Sequence, residues 1–190
     1  MELILAICIG VTLSAACGFR IFIPPLIMSL AANYGDFPIP RDFAWVGTEM
    51  GLVVLAIATI IEVGAYYIPV VDNLLDTIEI PTAIAIGTTI MGATLGMSEI
   101  DPVLQWSLAA VVGGSAAGTM EGVTVVTRAA STGFTGGLGN PLVSTTEALS
   151  AAVLSVLALT APIFAVVLAI ALLFWAAHKI LRFFSKRRKS

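Results

Sequence analysis

Few side chains in this sequence could do chemistry, and most of them sit where charge is costly. Glu62, Glu121 and Glu147 fall inside long apolar stretches, as does Arg20, with Arg128 and Glu49 nearer the edges of others. A charge at the centre of a membrane helix is unfavourable by roughly 3 kcal/mol on insertion scales, and such residues by default mark ion pathways, proton relays or solute sites. Pairing Arg20 with one glutamate and Arg128 with another would offset part of that desolvation. The partners stay open at this level. So does a structural alternative, in which buried ion pairs only fix helix register, or in which Glu49, Glu62 and Arg128 snorkel to an interface.

Other chemistries find little support. There is one histidine, no Gly-x-Ser-x-Gly, no Walker loop and no clustered metal ligands. Gly136-Gly137-Leu138-Gly139 is glycine-rich, but no strand precedes it, so it does not read as a dinucleotide site. Asp72 and Asp76 could hold a divalent ion at a membrane interface, or simply form the wet face of a helix. His178 lies near the end of an apolar run, where the helix dipole favours it at an interface. Cys8 and Cys17 lack metal-ligand spacing and read as small packing residues. No cofactor, metal or catalytic group is expected.

The elements that carry these residues must be membrane helices. Hydrophobic residues make up 58% of the chain and charged ones 11%, with mean hydropathy +1.03. Soluble domains carry about a quarter charged residues, so this chain has too few to wet a globular surface. Its partner is a lipid bilayer. Six of the nine Lys and Arg follow Ala177, namely Lys179, Arg182, Lys186, Arg187, Arg188 and Lys189. That asymmetry predicts a multi-pass protein of the cell (inner) membrane with a cytoplasmic C-terminus. Without aromatic or helix-turn-helix context it does not point to nucleic acid. Residues 1–17 compete as a secretory signal, but Met1-Glu2-Leu3 lacks a basic start, and Leu13-Ser14-Ala15-Ala16-Cys17 misplaces the aliphatic residue of a lipoprotein box. The segment is expected to remain in the mature protein.

Along the chain, the pattern predicts an all-α bundle of about six helical segments in one transmembrane domain over 1–184, with a basic tail over 185–190. Leu3 to Tyr34 is apolar but too long for one crossing, and Gly18, Pro24 and Pro25 break it. A polar loop over 35–44 leads to a span from Trp45 to Ile68, with Tyr66 and Tyr67 as interfacial anchors, as are Trp106 and Trp175. From Pro69 the acids at 72, 76 and 79 share one helical face, which predicts a helix lying along the membrane surface. A short span from Pro81 to Met97 follows, then a loop over 98–101 and a long helix from Pro102 to about Ala130. Its small residues from Gly113 to Gly122 predict the bundle centre and a contact for a homo-oligomer. A second break over 131–141 precedes helices Leu142–Ala158 and Pro162–Phe184.

The two breaks look alike. Gly18-Phe19 with Arg20 and Pro24/Pro25 parallels Gly133-Phe134 with Arg128 and Pro141, and Gly136, Gly137 and Gly139 loosen the second. This predicts repeat halves 1–68 and 102–184, related by inversion, with 69–101 connecting them. Irregular backbone in a membrane persists only where protein buries it or water solvates it, and paired broken helices point to a transporter's site. A helix restarting at Asn140-Pro141 would offer free N–H groups to an anion or a carbonyl; an ordinary helix start at the membrane surface is the alternative. With an even number of crossings both termini would lie inside, although 3–34 and 131–158 could instead be re-entrant hairpins.

The motifs Gly18-Phe19-Arg20-Ile21-Phe22-Ile23-Pro24, Ile68-Pro69-Val70-Val71-Asp72-Asn73-Leu74-Leu75-Asp76, Arg128-Ala129-Ala130-Ser131-Thr132 and Gly136-Gly137-Leu138-Gly139-Asn140-Pro141-Leu142-Val143-Ser144 resemble the family known as domain of unknown function 4126. The resemblance runs from about Leu13 to Pro162. It implies a small multi-helix bacterial membrane protein with no established activity, and marks Arg20, Glu62, Asp72, Asp76, Arg128, Asn140 and Glu147 as matching positions. Many members carry an Asp-Lys pair before the Ile-Pro, where this chain has Tyr66-Tyr67.

The leading expectation is therefore a small transporter or channel for an ion or polar solute. Arg20, Arg128 and Asn140 would hold the solute, and Glu62, Glu121 or Glu147 would balance charge or carry protons. A non-catalytic membrane scaffold or assembly protein is the second reading. An interfacial lipid-acting enzyme using Asp72 and Asp76 with a metal is the third.

Overall fold

A computed structural model describes residues 2–187, except for the side chains at 41–42, 69–70, 72–74, 76–77, 180 and 182–187. Seven helices form: α1 Leu3–Cys17, α2 Ile23–Tyr34, α3 Glu49–Ala65, α4 Pro69–Leu95, α5 Pro102–Thr135, α6 Asn140–Thr160 and α7 Pro162–Arg187. Their starts follow local chemistry. Thr48 caps α3 by accepting from the Gly51 N–H at 3.0 Å, and Asp101 caps α5 by accepting from Val103 and Leu104 at 2.9 and 3.2 Å. Proline occupies the first turn of α2, α4, α5 and α6, where its missing N–H leaves no gap.

The sequence pattern predicts two pieces for α4, and the helix is one. Pro69–Leu95 runs through Pro81 without stopping, about 40 Å in all. Neighbouring helices let a membrane helix tolerate proline, so Pro81 does not start a helix here. The segment 69–79 is thus the first part of α4 and not a separate surface helix. The side chains of Asp72 and Asp76 lie outside the described residues. α5 is also continuous, with a π-helical stretch over Ala109–Gly114, and it extends to Thr135, so the second break shrinks to 136–139.

Small residues set the packing. Ser14 donates to the Gly87 carbonyl at 2.7 Å, tying α1 to α4. A Cβ on Gly87 would stand 2.5 Å from Ala117 Cβ and 2.9 Å from the Gly113 carbonyl, so α4 and α5 meet backbone to backbone. Gly113, Gly114, Ala116 and Ala117 are all buried against these neighbours within one chain. The bundle centre falls where small residues predict it, but most of that face is covered inside the chain and is not left for a second copy.

α1 lies at the heart of this arrangement, buried almost without interruption from Ala6 to Cys17. Large apolar side chains instead cover the outside: Val53, Ile57 and Ile60 on α3, Leu149 and Val153 on α6, Ile163, Val167 and Phe174 on α7. Among the described residues, four helices are long and apolar enough to cross a membrane. The protein is a multi-pass membrane protein.

Helix direction follows from the contacts. Gly10 and Ser14 face Met91 and Gly87, and Gly113 and Gly118 face Gly87 and Ile84, so α1 and α5 both run against α4. Lys179 on α7 donates to Thr127 at 2.9 Å, which brings the end of α7 to the same end of the bundle as the end of α5. The start of α1 and the end of α7 therefore lie at opposite ends of the bundle. Both breaks lie toward one end and are approached in the same sense by α1 and α5. Halves of the kind expected from sequence would be related in parallel and not by inversion.

Candidate functional site

Between α1 and α2 the chain turns at residues 18–22, inside the protein. The turn is tight because Gly18 touches α5: a Cβ there would stand 2.3 Å from the Ala117 carbonyl oxygen and 2.6 Å from Met120 Cβ. α1's last carbonyls take the N–H groups of Gly18, Phe19 and Arg20. The next two donors have no local acceptor. Glu62, 8% exposed on α3, fills that role, accepting from Ile21 N–H at 2.6 Å and Phe22 N–H at 3.1 Å. A carboxylate from 40 residues away caps the apex, and the start of α2 favours its negative charge.

Arg20 projects from this apex and is 1% exposed. Its Nη2 donates to Ser144 Oγ at 2.7 Å and pairs with Glu147 Oε2 at 2.9 Å, both in the first turns of α6; its Nη1 donates to the Phe19 carbonyl at 3.1 Å. Arg128 on α5 reaches the same Glu147 Oε2 at 2.5 Å, and its Nη1 lies 3.6 Å from Glu79 Oε2 on α4. Each guanidinium carbon stands 3.9 Å from the centre of the Tyr66 ring. Two planar groups of that size cannot share one face at that height, so the ring is clamped between them. Desolvated cation–π contacts of this kind contribute about 2 kcal/mol each. The ring also keeps two like charges apart.

Glu121 completes the group one helix turn below Thr124, whose hydroxyl donates to its Oε1 at 3.2 Å. Among the described residues, the buried ionisable side chains here are Arg20, Arg128, Glu62, Glu79, Glu121 and Glu147, four acids to two bases. Among the described residues, Arg20 Nε, the Tyr66 hydroxyl, Glu79 Oε2 and Glu147 Oε1 are buried without a hydrogen-bond partner. Unsatisfied buried groups of this number call for an explanation such as a proton, water or ion.

The chain matches the family described as domain of unknown function (DUF4126) over residues 7–182. It belongs to that family. No curated protein and no solved structure matches it.

Of the residues singled out from sequence in this DUF4126 member, Arg20, Glu62, Glu121, Arg128 and Glu147 come together. Asn140 is buried on the same seam, with its Nδ2 donating to Thr132 Oγ1 at 3.0 Å, one turn beyond Arg128. The N–H groups expected to be free at the α6 start are not. Asn140 N–H bonds the Gly137 carbonyl, Leu142 and Val143 bond Gly139, and Pro141 has no N–H. Glu49 stays apart, exposed in the first turn of α3.

Two members of the group lie where sequence patterning does not put them. Tyr66, expected as an interfacial anchor, is 1% exposed; of that pair Tyr67 is at the surface, bonded to Thr145. Glu79, expected on a wet face, is 5% exposed. Its helical spacing from Asp72 and Asp76 hides it, and a helix running through Pro81 is the signal that finds it.

Proposed function

We propose that this DUF4126 protein is a small transporter or channel for an ion or small polar solute, with the cluster between the α1–α2 apex and the α6 start as its site. One observation carries this reading: among the described residues, four buried carboxyls and two buried guanidiniums are gathered in one place inside the bundle. Ionisable groups gathered in hydrocarbon by default mark ion or proton paths, where an exchangeable proton or cation balances charge. At about 22 Å, α1 is too short for a hydrocarbon core of roughly 30 Å, and α2 turns back from it. In this reading α1 and α2 form a re-entrant hairpin, α4 to α7 cross, and the Lys- and Arg-rich end of α7 puts the cluster toward the cytoplasmic side of the cell membrane.

Reconstituted vesicles test it. Wild type should move a proton, alkali cation or small solute at rates at least tenfold above empty vesicles, and Arg20→Ala should fall to background while Glu49→Gln does not. Wild type indistinguishable from empty vesicles across these probes would remove the proposal.

A second reading is favoured by the way one carboxylate serves both arginines: the cluster would be a static pin in a non-catalytic scaffold or assembly protein. It predicts destabilisation by the same substitutions and no flux in wild type.

A further inference from the structure

Away from the buried cluster, α5 and α7 leave a cleft between them on the outside of the bundle. Both walls follow helical spacing. α7 borders it with Ile170, Phe174, His178 and Leu181, three or four residues apart, so one row of its surface lines the cleft. α5 answers with Ser115 and Thr119, one turn apart, and the buried Val11 of α1 lies behind them. At the base the two helices meet through small residues, Ala116 of α5 packing with Ala169 and Ala176 of α7. Small side chains on one wall and large ones on the other leave a space of about 700 Å³. Sites that take a ligand run to roughly 300–1,000 Å³.

The cleft's lining, extent and charge all bear on what fills it. Among the described residues, His178 is the only titratable group on its walls, and the Ser115 hydroxyl donates back to the Val111 carbonyl of its own helix. From Ile170 to Leu181 the row runs about 16 Å along α7, half of a hydrocarbon core of roughly 30 Å. The apolar span of α7 is Pro162–Lys179, so Ile170 stands near its middle and His178 at its end. Exposed Trp175, with the Lys179 ammonium 4.8 Å from its ring, marks the headgroup level there. The cleft thus spans one leaflet, as a single acyl chain does. At its headgroup end the sequence is strongly basic: six of the nine Lys and Arg follow Ala177, and no Asp or Glu follows Glu147. Arg182 comes four residues after His178 in α7, one turn farther along the same row. Basic sites between membrane helices recognise anionic lipid headgroups.

We propose that the α5–α7 cleft holds an acyl chain of an anionic phospholipid whose headgroup meets the basic end of α7. A neutral phospholipid brings the same chain without the charge. A second copy in the same orientation would set one positive helix end against another. The inference does not depend on the transport reading, because this surface is separate from the buried cluster.

Native mass spectrometry of the full chain in detergent tests it, with dioleoyl phosphatidylglycerol or dioleoyl phosphatidylcholine added. The two lipids share their acyl chains and differ in headgroup charge. Each Lys or Arg at an anionic lipid surface strengthens binding about fivefold, so wild type should retain phosphatidylglycerol at least about tenfold more than phosphatidylcholine. Ser115→Leu with Thr119→Leu fills the cleft and should abolish that excess, whereas Leu149→Phe on the exposed face of α6 should keep it. Arg182→Gln with Lys186→Gln leaves the cleft walls intact and should bring the two lipids close to equal, a test that holds even if leucine disturbs the α5–α7 contact. Equal retention of both lipids by wild type overturns the proposal. So does an undiminished excess on the charge variant or on a folded cleft-filled variant, and so does a dimer that forms in place of the lipid complex.

Discussion

At residues 18–22 the chain turns inside the protein, and the donors of that turn reach across the bundle for their acceptor. At 136–139 it turns at the end of the bundle and satisfies itself. There Gly136 adopts φ +63° and closes α5 onto Thr132, Gly139 N–H bonds the Thr135 hydroxyl at 2.9 Å, and Asn140 N–H bonds Gly137. Phe134 and Leu138 beside it are 92% and 86% exposed. The sequences of the two breaks share a Gly-Phe, an arginine and a proline, yet one is a glycine-terminated helix end and the other depends on Glu62. Sequence likeness marks where helices stop; depth decides what each stop requires. A break that borrows its partner from another helix ties local backbone to tertiary structure, which is what a site that changes state needs.

The largest expected effect comes from removing the borrowed partner. Glu62→Ala leaves the Ile21 and Phe22 N–H groups without their acceptor, and hydrogen bonds to charged groups contribute about 1.5–3 kcal/mol each. A loss of about 3 kcal/mol or more is expected, read as a large drop in melting temperature in detergent. Glu62→Gln keeps one carbonyl oxygen and should lose about half as much. Melting of Glu62→Ala at the wild-type temperature would mean that water already serves these donors and that the two breaks are alike after all.

How far the sequence reveals this follows the same division. Apolar length and proline positions are enough to place both breaks, and the cost of charge in hydrocarbon is enough to single out Arg20, Glu62, Glu121, Arg128 and Glu147. Pairwise partners are out of reach, because they depend on how α4, α5 and α6 rotate against α1, which glycine contacts such as Gly87 on Gly113 set. Glu79 escapes notice for a local reason: Pro81 looks like a helix start, and only neighbours that tolerate it keep Glu79 within the bundle. Tyr66 does so because an aromatic at the end of a span looks the same whether it meets headgroups or two arginines.

Gly18→Ala sharpens the contrast at intermediate size. Its Cβ would meet the Ala117 carbonyl oxygen at 2.3 Å and the Glu121 nitrogen at 2.9 Å, both backbone atoms that cannot swing aside. Overpacking of this kind costs about 1–3 kcal/mol. Because the displaced segment carries Arg20, any flux should fall along with the melting temperature. At the other break the matching position is Gly133. A Cβ added there would have nothing within 4 Å, so alanine should be neutral in the same assay.

The smallest effect should come from repeating the Glu62 operation on the second break. Thr135→Val deletes the hydroxyl that accepts from Gly139 N–H, just as Glu62→Ala deletes the acceptor of Ile21 and Phe22. The chemistry of the two losses is similar, a backbone donor at a helix interruption left without its side-chain partner. The surroundings differ. Thr135 is exposed and Gly139 half-buried, so water or lipid headgroups can replace the hydroxyl, and one neutral hydrogen bond at a surface is a change of about 0.5 kcal/mol or less. Melting temperature should hardly move and any flux should stay at the wild-type rate. A Thr135→Val loss approaching that of Glu62→Ala would place the 136–139 turn in a medium as dry as the α1–α2 apex, and the contrast between a self-contained break and a borrowed one would have to be abandoned.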